Sequence, residues 1–142
     1  MTRRLAAGLS AAVVVALAAL FAWRLVTLYA AGGEPDPLEA PALAAGRALL
    51  ADALRGDSAG VAARVGSAQP VAWLETALRH DSALVRAWAA GEPRFGRTLH
   101  RGDTTVVSWS TYDAGERCLG GDVWVALLDV PRAPRVVRLS SP

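Results

Sequence analysis

The sequence predicts an α+β domain carried behind an N-terminal transmembrane segment, and three observations make that prediction. Leu5 to Trp23 is an uncharged run of 19 residues. From Pro41 to Gly91 the apolar residues recur at helical spacing, and from Arg94 to Ser140 the period drops to two. Helices first and strands after, without alternation, is the order of an α+β fold: three or four helices on one face of a curved four-stranded antiparallel sheet.

At the α-helical rise the first run spans ~28 Å, about one hydrocarbon core. Arg3 and Arg4 precede it, and only Arg24 follows closely before Glu34 and Asp36. That bias puts the N-terminus in the cytoplasm and the rest of the chain outside it, on a single-pass anchor in the cytoplasmic membrane. A cleaved signal peptide is the alternative, with Ala30-Ala31-Gly32 as the small-residue site it requires. The organisation is then a cytoplasmic tip and anchor over 1–31, a Gly- and Pro-rich linker over 32–41, and an extracytoplasmic domain over 42–142.

In that domain Leu43, Leu50 and Leu54 mark a helix from Pro41 to Arg55, which Gly56 ends. Asp57 is placed to cap a short second helix carrying Val61 and Val65. Pro70 opens a third with Val71, Leu74 and Leu78 on one side; His80-Asp81-Ser82 interrupts it, and Asp81 is placed to cap a continuation through Trp88, so that 70–90 is either one kinked helix or two. The first strand pair surrounds Arg101-Gly102-Asp103, read as a three-residue hairpin loop that sets Phe95 opposite Trp109. A loop over 113–122 precedes an apolar strand at 123–130, and a turn at 131–134 leads to the last strand. In this register Phe95, Leu99, Val107, Trp109, Trp124, Leu128, Val137 and Leu139 face Leu50, Leu54, Leu74, Leu78 and Trp88.

Charge narrows the function classes. All fifteen basic residues are arginine, and lysine, asparagine and isoleucine are absent, the composition of a GC-rich bacterial coding sequence. Without Arg3, Arg4 and Arg24, twelve arginines remain against thirteen acidic residues, so the folded part lacks the basic excess of a nucleic-acid binder. Cys118, the sole cysteine, can form no internal disulfide and is a candidate free thiol. His80 and His100 lack metal-ligand spacing, so no metal or cofactor is expected. No nucleophile or acid–base pair suggests an enzyme.

The segment ALLADALRGDSAGVAARV at 48–65, a long helix ending in Gly-Asp and running at once into a short one, resembles the opening of SnoaL-like proteins of the nuclear transport factor 2 fold. The third helix and the strands of 94–140 continue that resemblance over about 100 residues. Between Val65 and Pro70, however, the two short strands usual in that family have no room. The resemblance implies a binding domain or an assembly role in an envelope machine, and it carries over no catalytic residue.

Two surfaces are candidate sites. Trp73, Trp88, Trp109 and Trp124 are expected either in the core or around a small-molecule pocket between helices and sheet. Val123, Val125 and Leu127 are expected on the sheet's outer face beside Arg138, an apolar strip for a protein partner or a two-fold homodimer. Protein–protein contact without catalysis is the leading expectation, and small-molecule binding is the alternative.

Overall fold

The computed structural model describes residues 36–94 and 97–142, with Leu17, Ala19 and Leu20 alone before them. The expected anchor lies almost wholly outside the described residues, as does Phe95. Among those described, no helix is long and apolar enough to cross a membrane. Residues Asp36–Pro142 hold together as one unit by their own contacts. They form an α+β fold of three helices and an antiparallel sheet of five strands.

Helix α1, Glu39–Arg55, starts two residues ahead of Pro41, so it takes in residues that composition assigned to the linker. It stops at Gly56, whose φ of 69° is the left-handed conformation that favours glycine and lets its N–H close on Asp52 and Ala53 carbonyls. Helix α2, Ser58–Arg64, is capped by the Asp57 carboxylate, which accepts the Gly60 N–H at 2.9 Å. Helix α3, Gln69–Ala90, carries Pro70 in its first turn. It is one helix kinked at Asp81 (φ −154°, ψ 79°), where the carboxylate accepts the Leu84 N–H and restarts the second half. Arg47 of α1 closes the far end: its Nε–H and Nη2–H donate to the Ala89 and Gly91 carbonyls at 3.0 Å, placing a cation on a helix C-terminus.

The expected strand at 94–101 is divided. β1 (Glu92–Arg94) and β2 (Thr98–Arg101) both pair with β3 (Thr104–Tyr112), which makes the sheet five-stranded instead of four-stranded. Arg101 pairs with Thr104, so the hairpin tip is the two-residue turn Gly102-Asp103, with Gly102 at φ 61°, and not the three-residue loop expected. The register then changes by one residue between Thr98↔Val107 and Arg94↔Ser110.

β4 is longer than expected, Cys118–Leu128, and leaves a loop of only 113–117. Asp113 folds that loop by accepting the Gly115 and Arg117 N–H groups at 2.9 Å. The backbone donor of Arg117, above all, holds its carboxyl below the ordinary carboxylate range. The chain turns over 129–134 and returns as β5 (Arg135–Ser140), pairing Ala126 with Arg138 where Leu139 was expected.

The core consequence is an inversion of β4. Trp109 pairs with Val123, Val107 with Val125 and Thr105 with Leu127, so these β4 residues share the helix-facing side with Trp109. Val123, Val125 and Leu127 are 0% exposed beneath the helices, with Leu49, Leu50, Val136 and Leu139. Trp124 and Leu128, expected inside, are half-buried on the opposite face, and Leu99 is 47% exposed. A shift between Ala126 and Leu127 brings Val136 inside in place of Val137.

The β5 edge is covered. Gly66 N–H donates to Val136, Ser67 Oγ to Val137, and the Gln69 amide exchanges two 2.8 Å hydrogen bonds with the Leu139 backbone, imitating a neighbouring strand. At the other side of the unit, His100 Nε2 lies 2.5 Å from Asp36 Oδ2, and Thr98 Oγ1 donates to Glu39 at 3.3 Å, latching the start of α1 to β2. The Leu38 N–H first, and His100 second, depress the Asp36 pKa below its ordinary 3.8. A carboxylate depressed on folding stabilises the fold above its unfolded value and stops doing so as pH falls through its folded one. Hydrogen exchange at Thr98–Arg101, corrected for intrinsic rates, is expected to speed up as pH falls below 3.8, while Val123–Leu127 stays protected.

Candidate functional site

The four tryptophans do not gather around one pocket. Trp109 is core: it is 1% exposed, its Nε1–H donates to the Trp88 carbonyl at 3.1 Å, and its ring lies on Gly46 of α1. A Cβ on Gly46 would stand 2.9 Å from Trp109 Cη2, so the helix meets the sheet there at a distance only glycine allows. The layer between α1 and the sheet, where an aromatic-lined pocket was expected, is filled at this point by that ring. Trp73 and Trp88 form a pair on α3, ring centroids 6.0 Å apart, and line a groove of about 230 Å³ with His80 and Leu84. Trp88 also donates to the Gly121 carbonyl at 2.6 Å. Trp124 is on the far side of the sheet, away from all three.

That far side is where the functional candidates converge. With Val123, Val125 and Leu127 buried, the expected interface on those residues is corrected; the outward residues of β4 are Trp124, Ala126 and Leu128. Pairing arranges the outer face in rows. Leu99, Val106, Ala126 and Arg138 form one row across β2, β3, β4 and β5. Arg101, Thr104, Leu128 and Arg135 form the next. On the other side come Ser108, Trp124 and Ser140, with Arg97 bonded to Ser108 at the β2 end. The middle of the face is thus apolar, with arginines along its border: Arg97 and Arg101 at the β2 end, Arg135 and Arg138 at the β5 end. Between Leu99, Trp124 and Arg138 lies a depression of about 270 Å³.

Among the described residues, Arg97, Arg101, Arg135 and Arg138 have no ion-pair partner, whereas Arg94 pairs with Glu116 at 3.2 Å and Arg117 with Asp113 at 3.4 Å. Among the described residues, acidic side chains stand at the margins by register: Asp103 and Asp129 in the two turns, Asp122 one row beyond Trp124, and Glu92 at the β1 end with Glu116 beside Arg94. Overall charge balance hid this segregation from composition. Sequence reasoning did find the signal, a strand apolar on both faces, and Arg138 is where it was expected; it assigned the strand's two sides the wrong way round.

Cys118 opens β4 as an exposed free thiol, its Sγ 3.3 Å from the Gly120 carbonyl. Asp52 is the buried charge, 3% exposed, joined to Arg55 and, at 2.6 Å, to Arg64 Nε, so it ties α1 to α2. Among the described residues no three His, Cys, Asp or Glu side chains converge to hold a metal. Comparison of the chain with protein-family models, with curated proteins and with solved structures gives no match.

Proposed function

We propose that this chain is a membrane-tethered, extracytoplasmic interaction domain that acts without catalysis, docking an acidic protein surface on the outer face of its sheet. The observation that carries the reading is the row pattern: Val106, Ala126, Leu128 and Trp124 in the middle, Arg97, Arg101, Arg135 and Arg138 around them. Tryptophan and arginine are the residues most favoured where partners dock, and guanidinium groups without internal partners match carboxylates across an interface. Charge also sets the kind of partner. Stacking the face on a second copy across a two-fold axis brings one arginine border against the other, a like-charge cost of several kcal/mol. A partner with carboxylates around an apolar residue fits better than the homodimer. The tether rests on the uncharged run behind Arg3-Arg4. The SnoaL-like resemblance enters as a proposal of the same kind and supports an envelope-assembly role.

The test is a photo-crosslinking amino acid in place of Ala126, or of Ala83 on α3 as control, in the full chain in its membrane. A discrete protein adduct is expected at 126 and not at 83, reduced at least tenfold by Arg101→Glu with Arg138→Glu. An adduct whose yield ignores the charge reversal, or no adduct, overturns the reading.

A further inference from the structure

The seven residues of α2 include none that is buried, although Val61 and, just past its end, Val65 are apolar and stand toward α3. The helix is held off its neighbour at both ends. At its start, Asp57 caps it and the Gly56-Asp57 turn fixes it to α1. At its end, Arg64 is bonded to the buried Asp52, and Val65 and Gly66 are paired to Val136 of β5. With both ends pinned, α2 cannot swing onto α3, and an open groove of about 410 Å³ persists between α1, α2 and α3. Its walls are Ala53, Val61, Val65, Val71, Leu74 and Leu78. Among the described residues, the polar side chains that line it are Asp57, Ser58 and Glu75, all three exposed and so at its rim.

We infer that this groove is a binding site for a single-chain amphiphile with a cationic head, a ligand independent of the partner on the sheet face. The volume is that of a small-molecule site, and the walls are aliphatic with no hydrogen-bonding side chain among them. A ligand with polar atoms along its length would lose their hydration there without compensation, whereas an alkyl chain loses nothing. The head group is set by the rim. Asp57 already accepts the Gly60 N–H, but the exposed Glu75 carboxylate has no ion-pair partner among the described residues. Arg79, one turn on, directs its Nε–H to the Glu75 backbone carbonyl and leaves the carboxylate free for a cation. Because the walls are pinned before binding, the ligand bears little of the cost of forming the site.

The probe is hexylammonium, titrated into the full chain in phosphatidylcholine nanodiscs and read from the methyl resonances of Val61, Val65, Leu74 and Leu78, with hexanol and hexanoate in parallel. Saturable shifts are expected with hexylammonium, about fivefold weaker binding with hexanol, and none with hexanoate. Glu75→Gln should bring hexylammonium to the affinity of hexanol, the size of effect an exposed carboxylate supplies. Val61→Trp, which fills the groove, should abolish both; if it does not fold, Ala62→Leu reads the same blockage. Equal binding of hexanoate, an affinity for hexylammonium unmoved by Glu75→Gln, or binding that survives a folded groove-filling variant overturns the proposal.

Discussion

Trp109→Ala is expected to lower the unfolding free energy by about 3–5 kcal/mol, the range for emptying a large aromatic site in a packed core. Three features put Trp109 in that range. It is 1% exposed, it is the largest fully buried side chain among the described residues, and its Nε1–H satisfies the Trp88 carbonyl close to the end of α3. The substitution opens a cavity between α1 and the sheet and leaves that carbonyl without its partner. A domain of this size has on the order of 5–15 kcal/mol in total, so the variant should be largely unfolded near physiological temperature. Denaturant melts followed by circular dichroism read the loss, and a midpoint unchanged from the parent protein contradicts the burial. The reciprocal change, Gly46→Ala, should cost about 1–3 kcal/mol through overpacking, because Trp109 and Val125 both stand within 3.3 Å of the added Cβ.

Leu127→Glu is expected to unfold the domain, while Leu128→Glu, one residue on, stays folded. Leu127 is 0% exposed and lies between Thr105 and Val136 on the helix-facing side. A carboxylate there stands among buried apolar side chains and loses its hydration, a cost above ~4 kcal/mol of the kind that defines the severe class of substitutions. Leu128 lies on the outer face between Thr104 and Arg135, in the row that ends at Arg101. A carboxylate at that position keeps its water and gains a guanidinium neighbour, so the change should stay within ~1 kcal/mol. Thermal melts of the two variants distinguish the faces of β4 directly. The reverse result, Leu127→Glu folded and Leu128→Glu unfolded, would restore the orientation expected from sequence.

Local chemistry by itself determined the helical half of this protein. The stop at Gly56, the cap at Asp57, the proline in the first turn of α3 and the break at Asp81 each depend on atoms within a few residues of one another, so a linear reading finds them. The class of fold and the four tryptophans' shared potential for burial were legible in the same way. What no local pattern contains is which side of β4 meets the helices. That strand is apolar on both faces, its side-chain period is two, and a one-residue difference in register exchanges the faces. A hairpin tip of two residues in place of three turned Leu99 outward, and the one-residue shift between Ala126 and Leu127 exchanged the faces of β4 relative to Leu139. A turn of six at 129–134 in place of four moves the pairing by two and by itself leaves the faces as they were. The β3–β4 ladder decides the matter by setting Trp109 beside Val123, and Gly46 lets α1 close on the side where that ring lies. The arginine border follows from strand pairing in the same way. Arg97, Arg101, Arg135 and Arg138 are scattered in a charge-balanced sequence and become one surface only when four strands are placed side by side, because charge segregation is a property of the folded face and not of the composition.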